Sequence, residues 1–151
     1  MIKINLAKKG DLLKLSAIEK DVFDYSMYRE SFENYFNKNT IKIWKISLRK
    51  IIGFAIFYHV KDEIEIIQIA IIKSCQRKNY GSLLVNKIKK IKDIRKIFLE
   101  VSVENTQAIN FYLKNGFKKI GIRKAYYKVS IIVLINQIQI FCCLNLRLTT
   151  R

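Results

Sequence analysis

The chain has 151 residues, half of them hydrophobic and 12% aromatic, which suits one folded domain with a real core and excludes a disordered chain. Its 29 Lys and Arg against 12 Asp and Glu give a formal charge of +17. That charge attracts anions such as nucleic acid or phosphorylated cofactors, although heavy use of Ile, Lys and Asn throughout the chain accounts for most of it. Three cysteines, two of them adjacent at Cys142 and Cys143, argue against a disulfide framework. With His59 the only histidine and no CxxC spacing, no structural zinc site and no histidine-dependent triad are expected.

The N-terminal stretch "MIKINLAKKGDLLKL" holds no continuous apolar segment, so no signal peptide is expected and the cytoplasm is the expected compartment. "IKINL" (2–6) alternates as a strand does, and Asp11 after the "KKGD" turn is a candidate helix N-cap. Residues 12–23 place Leu12, Leu15, Ile18 and Val22 on one helical face. Residues 26–36 suggest a second helix capped by Ser26, with Tyr28, Phe32, Tyr35 and Phe36 as its apolar side. "IKIWKISL" (41–48) and "IIGFAIFYHV" (51–60) read as an antiparallel hairpin around Arg49 and Lys50, and "EIEIIQIAII" (63–72) as a third strong strand.

A helix over about 82–92 follows, with Leu84, Ile88 and Ile91 inward. Next come a strand at 96–103 and a helix at 106–116, in which Ala108, Ile109, Tyr112 and Leu113 share a face and Gly116 suits the C′ position. A strand at 117–128 comes next. The tail from Val129 to Leu146 carries no charge. Its Ser and Asn/Gln content disfavours a membrane span, and a last strand at 131–135 followed by an apolar extension is expected. No membrane association is expected. With no prolines and no repeats, the expectation is one α+β domain over 1–135 and an atypical extension over 136–151.

The stretch "SCQRKNYGSLL" (74–84) runs from a strand through a basic, glycine-bearing loop into a helix. The first N–H groups of a helix lack partners and its dipole favours negative charge, so this is an anion site in outline. It is no P-loop: "GFKKIG" (116–121) has the glycine spacing, but Ile122 and Arg123 follow it. No G-x-G-x-x-G occurs, which disfavours a Rossmann dinucleotide site.

"Q-R-K-N-Y-G" resembles the Q/R-x-x-G-x-G/A loop with which the GNAT family of N-acetyltransferases wraps the pyrophosphate of acetyl-coenzyme A. Gly81 matches the second glycine, and Asn79 stands at the first, where a left-handed backbone is tolerated by Asn better than by other non-glycine residues. The block "LEVSVENTQAINFYLKNGFKKIGIRKAYY" (99–127) resembles the matching stretch of the family's RimI-type ribosomal-protein-alanine N-acetyltransferases. Leu99-Glu100-Val101, Asn105, Ala108-Ile109, Tyr112, Gly116-Phe117, Arg123 and Tyr126-Tyr127 stand in the family's order and spacing.

The resemblance implies a mixed, mostly antiparallel twisted sheet with helices on both faces, and a splayed parallel strand pair that holds coenzyme A. It implies Glu100 as general base and Tyr112 as general acid toward the thiolate. It assigns the backbone of Ile69, Ala70 and Ile71 to the thioester carbonyl and the pantetheine arm. Arg77, Lys78, Asn79, Tyr80, Gly81 and Ser82 would cradle the pyrophosphate, and the side chain of Asn105 would bind the cofactor. No metal is implied. Cys75 reads as a small packing residue, because no His partners it.

The implied acceptor is a protein N-terminus, that of a ribosomal protein in the RimI group, with Tyr126, Tyr127 and the aromatics of 25–36 as groove candidates. The tail departs from the family, lacking the usual longer hairpin and acidic residue after Tyr-Tyr. Two other readings stand beside this one. The same fold could act on a small amine such as a polyamine or aminoglycoside, or the chain could be a non-catalytic basic module with strong, salt-dependent affinity for ribosome or RNA; beside the enzyme reading, only a weak non-specific attraction to nucleic acid is expected. A monomer is expected.

Overall fold

The β-branched runs at 41–47, 51–60, 63–71, 96–102 and 131–137 lie in one seven-stranded sheet in the computed structural model, which describes residues 1–23, 32–124 and 130–137. The strands are β1 (Lys3–Leu6), β2 (Ile41–Ser47), β3 (Ile51–Val60), β4 (Glu63–Ile71), β5 (Lys96–Ser102), β6 (Lys118–Arg123) and β7 (Ile131–Gln137), in spatial order β1-β2-β3-β4-β5-β7-β6. All neighbours pair antiparallel except β4 and β5. The last strand runs two residues past the boundary expected at 135. The expected cap Ser26, Tyr28, Tyr126 and Tyr127, and the extension from 138 onward, lie outside the described residues.

Helices cover both faces, as the two apolar clusters show. On one face α3 (Tyr80–Lys89) and α4 (Thr106–Lys114) pack Leu84, Val85, Ile88 and Tyr112 on Ile64, Ile66, Ile97, Leu99, Val101, Ile132 and Leu134. On the other, α1 (Leu12–Val22) and α2 (Phe32–Phe36) pack Leu12, Leu15, Ile18, Phe32 and Tyr35 on Ile41, Ile43, Phe54, Ile56 and Ala70. Phe36 and Leu113, expected to face inward, are 38% and 45% exposed.

Two local expectations are corrected. Asp11 directly precedes α1, but its side chain makes no cap bond to that helix. Its Oδ2 accepts from the Lys8 N–H and from Lys45 Nζ, at 2.8 and 2.7 Å. Burial alone would raise this carboxyl, yet those two donors outweigh it and hold the pKa below the ordinary carboxylate value. The second correction concerns α3, which starts at Tyr80 rather than Ser82 and ends at Lys89.

The end of α4 is built as its sequence foretells. The Phe117 N–H donates to the Tyr112 carbonyl and the Gly116 N–H to that of Leu113, with Gly116 at φ +83°. This is a Schellman closure, and the Tyr112 and Phe117 rings complete it edge to face at 5.3 Å. Lys89 reaches from α3 to the Asn115 carbonyl, and Asn136 of β7 donates to that of Gly116 at 2.7 Å. Burial pushes the Lys89 pKa down.

Candidate active site

The parallel strands β4 and β5 have nine and seven residues, yet they pair at only three positions: Glu63 with Lys96, Ile64 with Ile97, Glu65 with Phe98. Beyond Phe98 they diverge. Each stays paired on its outer side, β4 with β3 as far as Ile71 and β5 with β7 as far as Ser102. A gap therefore opens between the C-terminal halves of two strands whose facing backbone groups have no ladder to join.

Strand alternation tells which groups face the gap. The Ile72 N–H donates to the Ile52 carbonyl of β3, so the Ala70 N–H also points to β3, and those of Ile69 and Ile71 point away from it. Of the three residues assigned to the thioester and the pantetheine arm, Ile69 and Ile71 thus supply the donors, and Ala70 helps anchor the wall. The Ile71 carbonyl at the rim accepts from Gln76 Nε2 at 2.9 Å. Gly53, opposite Ile71, lets β3 come close: a Cβ there would lie 2.3 Å from the Ala70 carbonyl oxygen.

Glu100 and Tyr112 approach this gap from opposite sides of the sheet. Leu99 and Val101 are buried under α3 and α4, so Glu100 between them faces the other side. There it is ion-paired with Arg123 of β6, at 3.1 Å, and its side chain remains 34% exposed. Tyr112 is 8% exposed under α4, its ring edge to face with Phe111 and Phe117.

The loop after β4 has the backbone its chemistry requires. Asn79 is left-handed, with φ 64°, and so is Arg77, with φ 58°. Alternation of this kind turns successive N–H groups toward one point and makes an anion-binding concavity. Tyr80, Gly81 and Ser82 form the first turn of α3, where helical N–H groups lack intrahelical partners. The Lys78 ammonium bonds the Ser74 carbonyl at 3.0 Å and buttresses the loop, while Arg77 is exposed. A Cβ at Gly81 would lie 3.1 Å from the Phe111 ring, so this glycine also lets α3 approach α4. Asn105 caps α4: its Oδ1 accepts from the Ala108 N–H at 3.0 Å, and its amide N–H₂ is the group that can donate to a ligand.

Sequence reasoning passed over Glu65 and Gln68. A bulge at Ile67 shifts the β3–β4 register, so that Tyr58 opposes Glu65 and Ile56 opposes Gln68. Two polar residues three apart thus share one face of the strand, the same face as Glu100. Burial, and then the nearby Glu100 charge, raise the Glu65 pKa above its ordinary value. Gln68 is 8% exposed, and its Oε1 finds no hydrogen-bond partner among the described residues. The signal was present in "EIEIIQIAI", where Gln68 falls out of phase with the Glu63–Glu65 alternation. Among the described residues no group of three or more His, Cys, Asp or Glu could hold a metal, and no helix is long and apolar enough to cross a membrane.

A parallel pair that parts after three rungs, with an anion loop at its mouth, is the architecture the family match also selects: the acetyltransferase (GNAT) family matches residues 12–117. The chain belongs to the GNAT family. It is 32% identical over 120 residues to the ribosomal protein bS18-alanine N-acetyltransferase of Haemophilus influenzae, covering 78% of this chain and 82% of that one. Among solved structures it is similar to the Escherichia coli ribosomal-protein-S18-alanine N-acetyltransferase, with TM-score 0.78, 23% identity, and 91% and 94% of the two chains covered. Arabidopsis thaliana NAA60, solved with acetyl-CoA, superposes with TM-score 0.79 at 19% identity over 91% of this chain and 99% of that one. The GNAT fold expected from the sequence is therefore present, and so is the acetyltransferase class.

Proposed function

We propose that this GNAT acetyltransferase moves the acetyl group of acetyl-CoA onto the N-terminal α-amine of a protein, with a ribosomal protein as the first candidate acceptor. The reading is supported by the gap between β4 and β5, with Glu100 and Tyr112 on opposite faces of the sheet. The ribosomal-protein acceptor is supported by the 32% identity to the bS18-alanine enzyme over most of both chains.

The pyrophosphate would lie against the N–H groups of 77–82 at the start of α3, with Asn105 offering its amide N–H₂ nearby. The thioester carbonyl would accept from the Ile69 or Ile71 N–H, a donor already fixed in place by the β3 ladder. Glu100 draws the acceptor ammonium to the open face and accepts its proton. The amine lone pair then forms the C–N bond, the C–S bond breaks with its electron pair going to sulfur, and sulfur takes the Tyr112 phenol proton. The nitrogen sheds a second proton as the amide forms, and this restores the phenol.

Two measurements test the reading. Acetyl-CoA at a hundred times its dissociation constant stabilises a binding protein by about 2.7 kcal/mol, a rise in melting temperature easily read in a thermal shift. Mass spectrometry of products from N-terminal peptides, polyamines and an aminoglycoside then names the acceptor class. Absence of the thermal shift overturns the enzyme reading, and acetylation confined to small amines overturns the protein acceptor.

A further inference from the structure

The helix α3 meets α4 near both of its ends, and the two contacts differ in kind. In its first turn Gly81 lets the Phe111 ring come close, since a Cβ there would lie 3.1 Å from it. At its last residue Lys89 donates to the Asn115 carbonyl, and its ammonium lies over the Phe117 ring, 5.5 Å from the centroid. Tyr112 is carried between these contacts, next to Phe111 in the chain and edge to face with Phe117 at 5.3 Å. The opening N–H groups of α3 are those offered to the pyrophosphate. One helix of ten residues, about 15 Å long, thus reaches from the cofactor's anchor to the support of the phenol.

Packing alone does not call for a lysine at position 89. The ammonium is half-buried, burial pushes its pKa down, and no carboxylate pairs with it among the described residues. An apolar side chain there would bury no charge. What the ammonium meets is the C-terminal end of α4 and the face of an aromatic ring, both of which attract a cation. Its hydrogen bond also selects one carbonyl, which a methyl group cannot do. Asn136 of β7 fixes the next carbonyl, that of Gly116, at 2.7 Å. The turn that closes α4 is therefore held from outside by two donors, and Lys89 is the one that belongs to the cofactor's helix.

We propose that Lys89 is a positioning residue for acetyl transfer: it sets the end of α4 so that the Tyr112 phenol meets the sulfur of a cofactor whose pyrophosphate lies at the other end of α3. This inference rests on the acetyltransferase reading, with Tyr112 as the acid, and deepens it. Lys89 acts through Asn115 and Phe117 and touches neither substrate nor cofactor. Without its ammonium, α4 keeps the contact at Phe111 and turns about it. The phenol then leaves its line to sulfur while the pyrophosphate site stays whole. A misplacement of about 1 Å is enough to lower a rate by about a hundredfold.

Lys89→Met keeps the length of the side chain and removes the ammonium. With a peptide bearing an N-terminal alanine as probe, its kcat is expected to fall by about tenfold or more, with the acetyl-CoA dissociation constant unchanged by calorimetry. Lys89→Arg restores a cationic donor and is expected to recover most of kcat. Lys90→Met, at the exposed neighbour, is expected to keep all of it. In a Tyr112→Phe background Lys89→Met is expected to lower kcat no further, because two residues that act through one group are not additive. An equal loss in both backgrounds, or wild-type kcat in Lys89→Met, overturns the inference.

A second readout needs no turnover: the ¹³Cζ signal of Tyr112 in the acetyl-CoA complex, assigned by its absence in Tyr112→Phe. It is expected to move in Lys89→Met and to return in Lys89→Arg, and an identical signal in wild type and Lys89→Met overturns the inference as well. Wild-type kcat in Tyr112→Phe instead overturns the role of the phenol on which the inference stands, while the tyrosine signal still decides whether Lys89 sets the ring.

Discussion

The two faces of this sheet are built under opposite rules. Beneath α3 and α4 every feature is closed: the Tyr112 carbonyl accepts from Phe117, the rings of Phe111, Tyr112 and Phe117 interlock, and Lys89 and Asn136 bond the last carbonyls of the α4 end. On the other face, beyond the cover of α1 and α2, polar groups are left in unfavourable company. Glu65 is half-buried near a second carboxylate, and the Gln68 oxygen is buried without a partner among the described residues. Polar groups held in this state are disfavoured by folding alone.

The sharpest way to break this comparison is Tyr112→Phe. It removes one oxygen from a packed ring, and kcat is expected to fall by about a hundredfold or more in steady-state kinetics while the variant still folds and binds acetyl-CoA. A wild-type kcat in this variant would remove Tyr112 from the chemistry. Gly53→Ala tests the wall between the faces. Its new Cβ must displace the Ala70 carbonyl, so the chain is expected to lose about 2 kcal/mol in chemical denaturation and to bind acetyl-CoA more weakly.

Gly116→Ala strains the closure that holds Tyr112, because φ is +83° there and the added carbon meets Asn136 Nδ2 at 3.3 Å. A loss of about 1 kcal/mol is expected by thermal melting, with a modest fall in kcat from the loosened helix end. On the open face the signs reverse. Gln68→Leu removes an oxygen that has no partner among the described residues, so stability is expected to hold or rise in thermal melting.

Glu65→Gln gives the smallest effect on stability and the most diagnostic one. A carboxyl whose folded pKa lies above its unfolded value binds more protons when folded, so its contribution worsens as pH rises through that interval. The Gln variant is therefore expected to melt higher than wild type at neutral pH, and the advantage is expected to vanish below the ordinary carboxylate range. Asp11 has the opposite sign: its depressed pKa supplies stability above the ordinary value, and this is lost as pH falls through the folded value.

Much of the molecule was legible in one dimension. The hairpin at 41–60, the strand from Glu63 and the strand from Lys96 were set by β-branched runs, and the α4 closure by Gly116 standing two residues after the helix. The orientation of Glu100 followed from simple alternation between Leu99 and Val101. Asn79 was read as a left-handed position and is one; Arg77, equally left-handed, carries no side chain that announces it. The Asp11 side chain was read as a helix cap because its neighbours in sequence allow it, but Lys45, which is 34 residues away, claims it instead.

The sequence by itself determined the elements, their inward faces and the basic turn, because periodicity, propensity and turn chemistry act over a few residues. Only the tertiary structure decided where β4 and β5 part, and that a bulge at Ile67 turns Glu65 and Gln68 to the sheet face on which Glu100 lies. Register between strands depends on how two distant segments pack against shared helices. A one-residue shift in it exchanges core and cleft for every side chain beyond, and no local pattern carries that information.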